Sequence, residues 1–284
     1  MSYFVDSRFL YPEFQIPGRR PSNANAVEID KSHPFAESLI VATYFDGGGG
    51  VELVTNQRGV AIGAPTGDPD GTRFEENNSA INFPNLPVAA NGSTGFAYCW
   101  GYKGNGNTGT GPRKVIVGDG ASAVAMLLSF TTDAVSNVSF DWGSSNKTLV
   151  QTTDFSHDTE IMHHYCITGN VVESGGNETV TLYVDGAING TNSEQYFVTG
   201  DAVATTMAFG NDTDGFQEME GVLSYVWIFN KDFTGQSAIS ITQDPFQVLK
   251  PTMPDFNIVT SGAVANAPTG GIYGPLAGPL GGPV

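Results

Sequence analysis

The chain has 284 residues, 40% of them hydrophobic and only 14% charged, with 36 Gly and 16 Pro. That apolar content builds a sizeable core, while so many turn-formers exclude a long-helix protein and suit an all-β chain of short strands. The net charge of −17 lies wholly beyond residue 31, because Arg8, Arg19, Arg20 and Lys31 cancel Asp6, Glu13, Glu28 and Asp30; such an acidic body repels nucleic acid and anionic membrane and excludes both as partners.

Residues 1–34 read as an extended arm. Pro12, Pro17, Pro21 and Pro34 block regular helix, while Phe4, Phe9, Leu10, Tyr11, Phe14 and Ile16 are too apolar for a free solvated tail. The opening MSYFVDSRFLYPEF lacks a basic start followed by an apolar run, so no secretory signal is expected. No stretch approaches the roughly 18 consecutive apolar residues of a membrane span.

A body follows over residues 35–250. Strands are predicted at 39–45, 80–83, 95–102, 114–117, 124–131, 138–142, 148–151, 163–168, 179–184, 205–209 and 222–229, from β-branched and aromatic runs bounded by Gly, Asn and Asp. In 95–102, Phe96, Tyr98, Trp100 and Tyr102 share one face, with Ala97, Cys99 and Gly101 on the other. In the later strand, Val180, Leu182 and Val184 oppose Thr181, Tyr183 and Asp185. This alternation predicts sandwich strands with one buried side, whose inter-sheet core includes Phe96, Tyr98, Trp100, Leu182, Val184, Val226 and Ile228. One short helix is predicted at 237–243, before Pro245.

Residues 251–284 form a second arm. They hold seven Gly and six Pro, carry no charge after Asp255, and keep Ile258, Val259, Val264, Ile272, Tyr273, Leu276, Leu280 and Val284 between them. Composition of this kind builds no domain of its own, and the apolar residues call for a partner surface or a neighbouring copy.

Three segments carry a family resemblance. Residues 183–186 read Tyr-Val-Asp-Gly at a hairpin, and the strand 222–229 leads into a short helical turn and a closing Pro. Residues 29–34 read IDKSHP before the first strand, and Glu52-Leu53-Val54 with Gly59 follow the Gly47–Gly50 run. Together they are similar to a laminin-G-like domain of the concanavalin A-like lectin and glucanase type, as found in tailed-phage virion proteins. The resemblance implies a two-sheet antiparallel jelly-roll β-sandwich flanked by the two arms. It leaves function open, since this fold serves lectins, glycanases and structural shells alike.

The residues offer little chemistry. Hydrolysis of a glycosidic bond needs two carboxylates flanking it, and family glucanases carry a Glu-x-Asp-x-x-Glu run. Glu218-Met219-Glu220 lacks the Asp and the third acid, and reads as a pair on a solvated strand edge. Asn211, Asp212, Asp214 and Gly215 resemble a partial calcium loop, but Asx residues also dominate ordinary turns; Asp46 beside the Gly run is a weaker cation candidate. His163 and His164 are adjacent on a strand and point to opposite faces, with His33 and His157 far off in sequence, so zinc is not expected. The Gly-rich runs 47–50 and 104–111 lack the helix and Lys of a phosphate loop and read as flexible loops. Trp142 reads as an edge-of-core residue, with stacking on a sugar as the alternative. Cys99 and Cys166 lie inside strands and read as buried reduced thiols, with a disulfide as the alternative. No catalytic, metal or cofactor residue is assigned, and no glycan-binding residue can be named.

The resemblance and the arms together imply a non-enzymatic structural protein of a tailed-phage virion, made in the host cytoplasm. A capsid decoration or cement protein is expected, attached through its arms to other virion proteins and to copies of itself. The alternative is a tail-fibre or adhesin module holding host surface glycans.

Overall fold

The computed structural model describes residues 20–21, 27–75, 79–84, 86, 95–104, 114–118, 126–131, 137–142, 148–151, 160–170, 178–194, 206–210 and 219–252; between 114 and 151 it describes backbone pairing alone. The strands in chain order are β1 (Val27–Ile29), β2 (Leu39–Asp46), β3 (Gly49–Glu52), β4 (Gln57–Arg58), β5 (Val60–Ile62), β6 (Thr66–Asp68) and β7 (Gly71–Phe74). Next come β8 (Ala80–Pro84), β9 (Gly95–Lys103), β10 (Lys114–Gly118), β11 (Met126–Thr131), β12 (Asn137–Trp142) and β13 (Thr148–Gln151). The chain closes with β14 (His163–Asn170), β15 (Glu178–Val184), β16 (Ala187–Glu194), β17 (Thr206–Phe209), β18 (Gly221–Phe229), the helix α1 (Gly235–Gln243) and β19 (Leu249–Pro251). The expected all-β sandwich is therefore present, with every strand pairing antiparallel.

Seven strands form one sheet in the order β13-β12-β11-β10-β17-β8-β5. Ten belong to the other, β16-β15-β14-β9-β18-β2-β3-β4, with β7 continuing along β18 and β6 beside β7. The space between the sheets holds Phe96, Tyr98, Trp100, Leu182, Val184, Val226 and Ile228, as the alternation predicts, joined by Phe45, Phe83, Tyr165, Met207 and Phe209. Trp100 stacks flat on Tyr165 across the β9–β14 pair, centroids 5.0 Å apart at an interplanar angle of 5°.

The expectation of one buried side fails for the ten-stranded sheet. Its other face is a second core: Ala97, Cys99, Cys166, Tyr183, Tyr225, Trp227 and Phe229 lie beneath Phe233, Ala238, Ile241, Phe246 and Val248. All nine residues of β18 are consequently buried. The cover is fastened by polar bonds as well as apolar contact. Thr234 caps α1 by accepting from the Ser237 N–H at 3.3 Å, and the Trp227 indole donates to the Pro245 carbonyl at 2.9 Å. Small residues on that side of β9 make room for this layer.

Two further differences have local causes. Gly47 and Gly48 take positive φ and turn the β2–β3 hairpin, so the glycine run is a tight turn rather than a flexible loop. Val27–Ile29, expected within the first arm, pair with Leu249–Pro251. Upstream of them, the Arg20 guanidinium lies 4.6 Å from the centroid of the Tyr44 ring, and the Tyr44 hydroxyl donates to the Pro21 carbonyl. Among the described residues, no helix is long and apolar enough to cross a membrane.

Trp100→Ala should remove a fully buried ring from the inter-sheet core and lower stability by about 3–5 kcal/mol. Denaturant unfolding of the variant checks this, and an unchanged midpoint would place Trp100 outside the core.

Candidate functional site

Three polar corners stand out, each built where a turn meets a strand. At the β15–β16 hairpin, Asp185 (φ 48) and Gly186 (φ 85) form the two-residue turn. The Asp185 carboxylate reaches across to β14, with Oδ2 at 2.6 Å from His163 Nδ1 and Oδ1 accepting from the His164 N–H at 2.8 Å. Burial raises the Asp185 pKa, but the bond to His163 and the His164 amide outweigh this and leave it lowered. The two rings diverge. His163 contacts Tyr165 of the inter-sheet core, whereas His164 stacks on Tyr225 of the second core, where burial lowers its pKa. The pair is a strap across the hairpin, and on its far side the Tyr225 hydroxyl lies 3.3 Å from His164 Nδ1, buried in the second core.

The second corner is charged. Asp68 at the end of β6 accepts from Lys103 of β9 at 2.9 Å and from Arg73 of β7 at 2.7 Å, and its Oδ1 also takes the Asp70 N–H at 3.0 Å. Lys103 bonds Asp70 at 2.5 Å as well. Burial pushes the Asp68 carboxyl up, but these donors prevail and hold it at about 2. The network ties three strands together at one end of the sandwich, and its members spend their charge on one another.

The third corner is the fully buried Glu52. Its Oε1 accepts from the Ala42 N–H at 2.9 Å and the Val54 N–H at 3.0 Å, while Oε2 takes the Thr55 N–H at 2.6 Å and the Thr55 hydroxyl. A carboxylate so saturated closes a turn and has no lone pair left for a substrate. Gly59 downstream is needed for space, because a Cβ there would lie 2.2 Å from Ile81 Cγ2.

Among the described residues, the sequence candidates scatter rather than converge. Glu218 and the Asn211–Gly215 loop lie outside the described residues, as do His157 and residues 105–113. Glu220 is in the segment leading into β18, not on a strand edge. Its carbonyl accepts from the Tyr102 hydroxyl at 2.7 Å, beside a fully buried Met219. Asp46 ends β2 at the hairpin turn, and His33 sits in the turn before β2 with its Nδ1 accepting from the Phe35 N–H at 3.3 Å. Trp142 pairs with Met126 through the backbone, and its side chain is not described. Cys99 and Cys166 face each other in the second core with Sγ atoms 3.0 Å apart. Among the described residues, no group of three or more His, Cys, Asp or Glu is arranged to hold a metal ion.

No protein-family model and no curated protein matches the chain. Solved structures do. Domain 4 of AbnA, an extracellular arabinanase from Geobacillus stearothermophilus, in complex with arabinotriose, superposes with a TM-score of 0.51 at 17% identity, over 72% of this chain and 98% of that one. The botulinum neurotoxin serotype D binding domain superposes at 0.55 and 13%, over 74% of this chain and 52% of its own. A structure of botulinum neurotoxin type C, whose cell entry depends on interaction with two ganglioside molecules, does so at 0.51 and 14%, over 71% and 50%. The chain thus spans about half the length of the toxin domains, and the likeness is one of fold, an antiparallel jelly-roll sandwich.

Because Asp68 titrates at about 2 in the fold against 3.8 normally, its contribution is complete above about pH 4 and is lost as pH falls toward 2. Asp68→Asn should cost about 1–2 kcal/mol at neutral pH. Melting curves of both proteins from pH 7 to 2.5 should show the gap narrowing below pH 4; a gap independent of pH would mean that the charge network is idle.

Proposed function

We propose that the protein is a non-enzymatic glycan-binding module of the lectin-like jelly-roll type. The observation that carries this reading is its superposition on almost the whole of the arabinanase domain that holds arabinotriose. Over β9, β14, β18 and β2 the outer face of the ten-stranded sheet is covered by α1 and the closing segment, whereas at β15–β16 it stays open, with Ile188 65% exposed. A saccharide therefore meets the seven-stranded sheet, the open β15–β16 edge or the loops joining the strands. The acidic body disfavours acidic sugars and points to neutral oligosaccharides, bound by hydrogen bonds and ring stacking. Hydrolysis has little support, since Glu220 lies outside any strand and Glu52 is consumed by four internal bonds.

The full chain should bind neutral oligosaccharides saturably on a glycan array and by calorimetry, and release no reducing sugar from them. Binding to no glycan would remove the reading. Turnover abolished by Glu218→Gln or Glu220→Gln would replace it with a glycanase.

A second reading, a decoration or cement protein of a tailed-phage virion, is favoured by one feature. Val27 and Pro251, near the two ends of the described body, pair directly with each other, and the sequence before and after them is rich in apolar residues. Ordering such segments costs about 1–2 kcal/mol per residue in backbone entropy, which burial against other subunits can offset. Deleting residues 256–284 should leave a soluble, folded body that no longer incorporates into particles. Full occupancy by the truncated chain would put the attachment on the sandwich itself.

A further inference from the structure

The antiparallel register sets Cys99 of β9 directly opposite Cys166 of β14, in the middle of an eight-pair ladder. Opposed residues of such a ladder have Cα atoms about 4.5–5.5 Å apart, inside the window a disulfide requires. The thiols already sit with Sγ atoms 3.0 Å apart, and each is fully buried. Ala97 lies beside them, and Tyr183, Tyr225 and Trp227 complete their surroundings in the second core. Each sulfur's polar contact is the other sulfur.

We infer that Cys99 and Cys166 are a redox pair that closes to an intrachain disulfide when the chain folds in the presence of a disulfide oxidant. One cysteine thiolate attacks the oxidant's S–S bond and releases one thiol, leaving a mixed disulfide. The second thiolate attacks that mixed disulfide at the cysteine sulfur and releases the other thiol. Two protons leave the cysteines, and two electrons reduce the oxidant to two thiols. The bond links residues 67 apart and encloses β10 to β13, four of the seven strands of the second sheet. Its effect is therefore to restrain the unfolded chain around that sheet. Burial makes closure a folding event: in the folded protein no oxidant reaches the sulfurs, and burial together with the neighbouring thiol raises Cys99 further from its reactive thiolate. The same burial then shields the finished bond from reductants.

The full chain, refolded from denaturant with oxidised or with reduced glutathione, tests this. Oxidative refolding should give a monomer two hydrogens lighter by intact mass, with a Cys99–Cys166 peptide on non-reducing digestion. Its melting temperature should be higher by about 10 °C than that of the reduced form. Reductant should open the bond only when denaturant is added. A Cys99→Ala, Cys166→Ala variant should lose the redox dependence of melting; should it fail to fold, mass and thiol titration of the native chain decide alone. Two free thiols after oxidative refolding, a disulfide-linked dimer, or equal melting of the two forms would each overturn the inference.

Discussion

The fold depends on one strand. β18 pairs with β9 along one edge and with β2 and β7 along the other, so it holds the ten-stranded sheet together. Leu223, before a register shift, and Val226 and Ile228 after it enter the inter-sheet core, while Tyr225, Trp227 and Phe229 enter the second. At roughly 1.5–3 kcal/mol for each large side chain buried, the strand stabilises both layers at once. Its side chains are spent on packing on both faces.

Three acids at turns follow the same logic. Asp30 accepts from the Ser32 hydroxyl at 2.7 Å, and its own N–H donates to the Val248 carbonyl, tying the turn before β2 to the closing segment. Glu52 closes the β3–β4 turn, and Asp185 straps β14 to its hairpin. These are the acids within the motifs that resemble laminin-G-like domains. Each is consumed by the backbone around it, which explains why such motifs report architecture and not ligand.

Charge is distributed with a comparable economy. Lys103 and Arg73 are engaged with Asp68 and Asp70, and Lys250 lies 3.2 Å from Glu28. The chain as a whole keeps a net charge of −17, which repels anionic groups at long range.

Much of this was legible in the sequence. Alternation of ring and small residues in 95–102 and of apolar and polar residues in 179–184 located strands and inter-sheet core, because side chains of a strand change face at every residue. Pro245 marked the end of the helix by ordinary breaking, while its start, two residues earlier than expected at Gly235 behind the Thr234 cap, came from the structure. Only the tertiary structure decided that Tyr225, Trp227 and Phe229 meet a second layer, since a two-sided core depends on where a distant helix docks. Strands β3 to β7 are too short, and β7 too tied to β18, to announce themselves locally. The meeting of Cys99 with Cys166 likewise rests on register, and register between strands 67 residues apart is a property of the folded sheet alone.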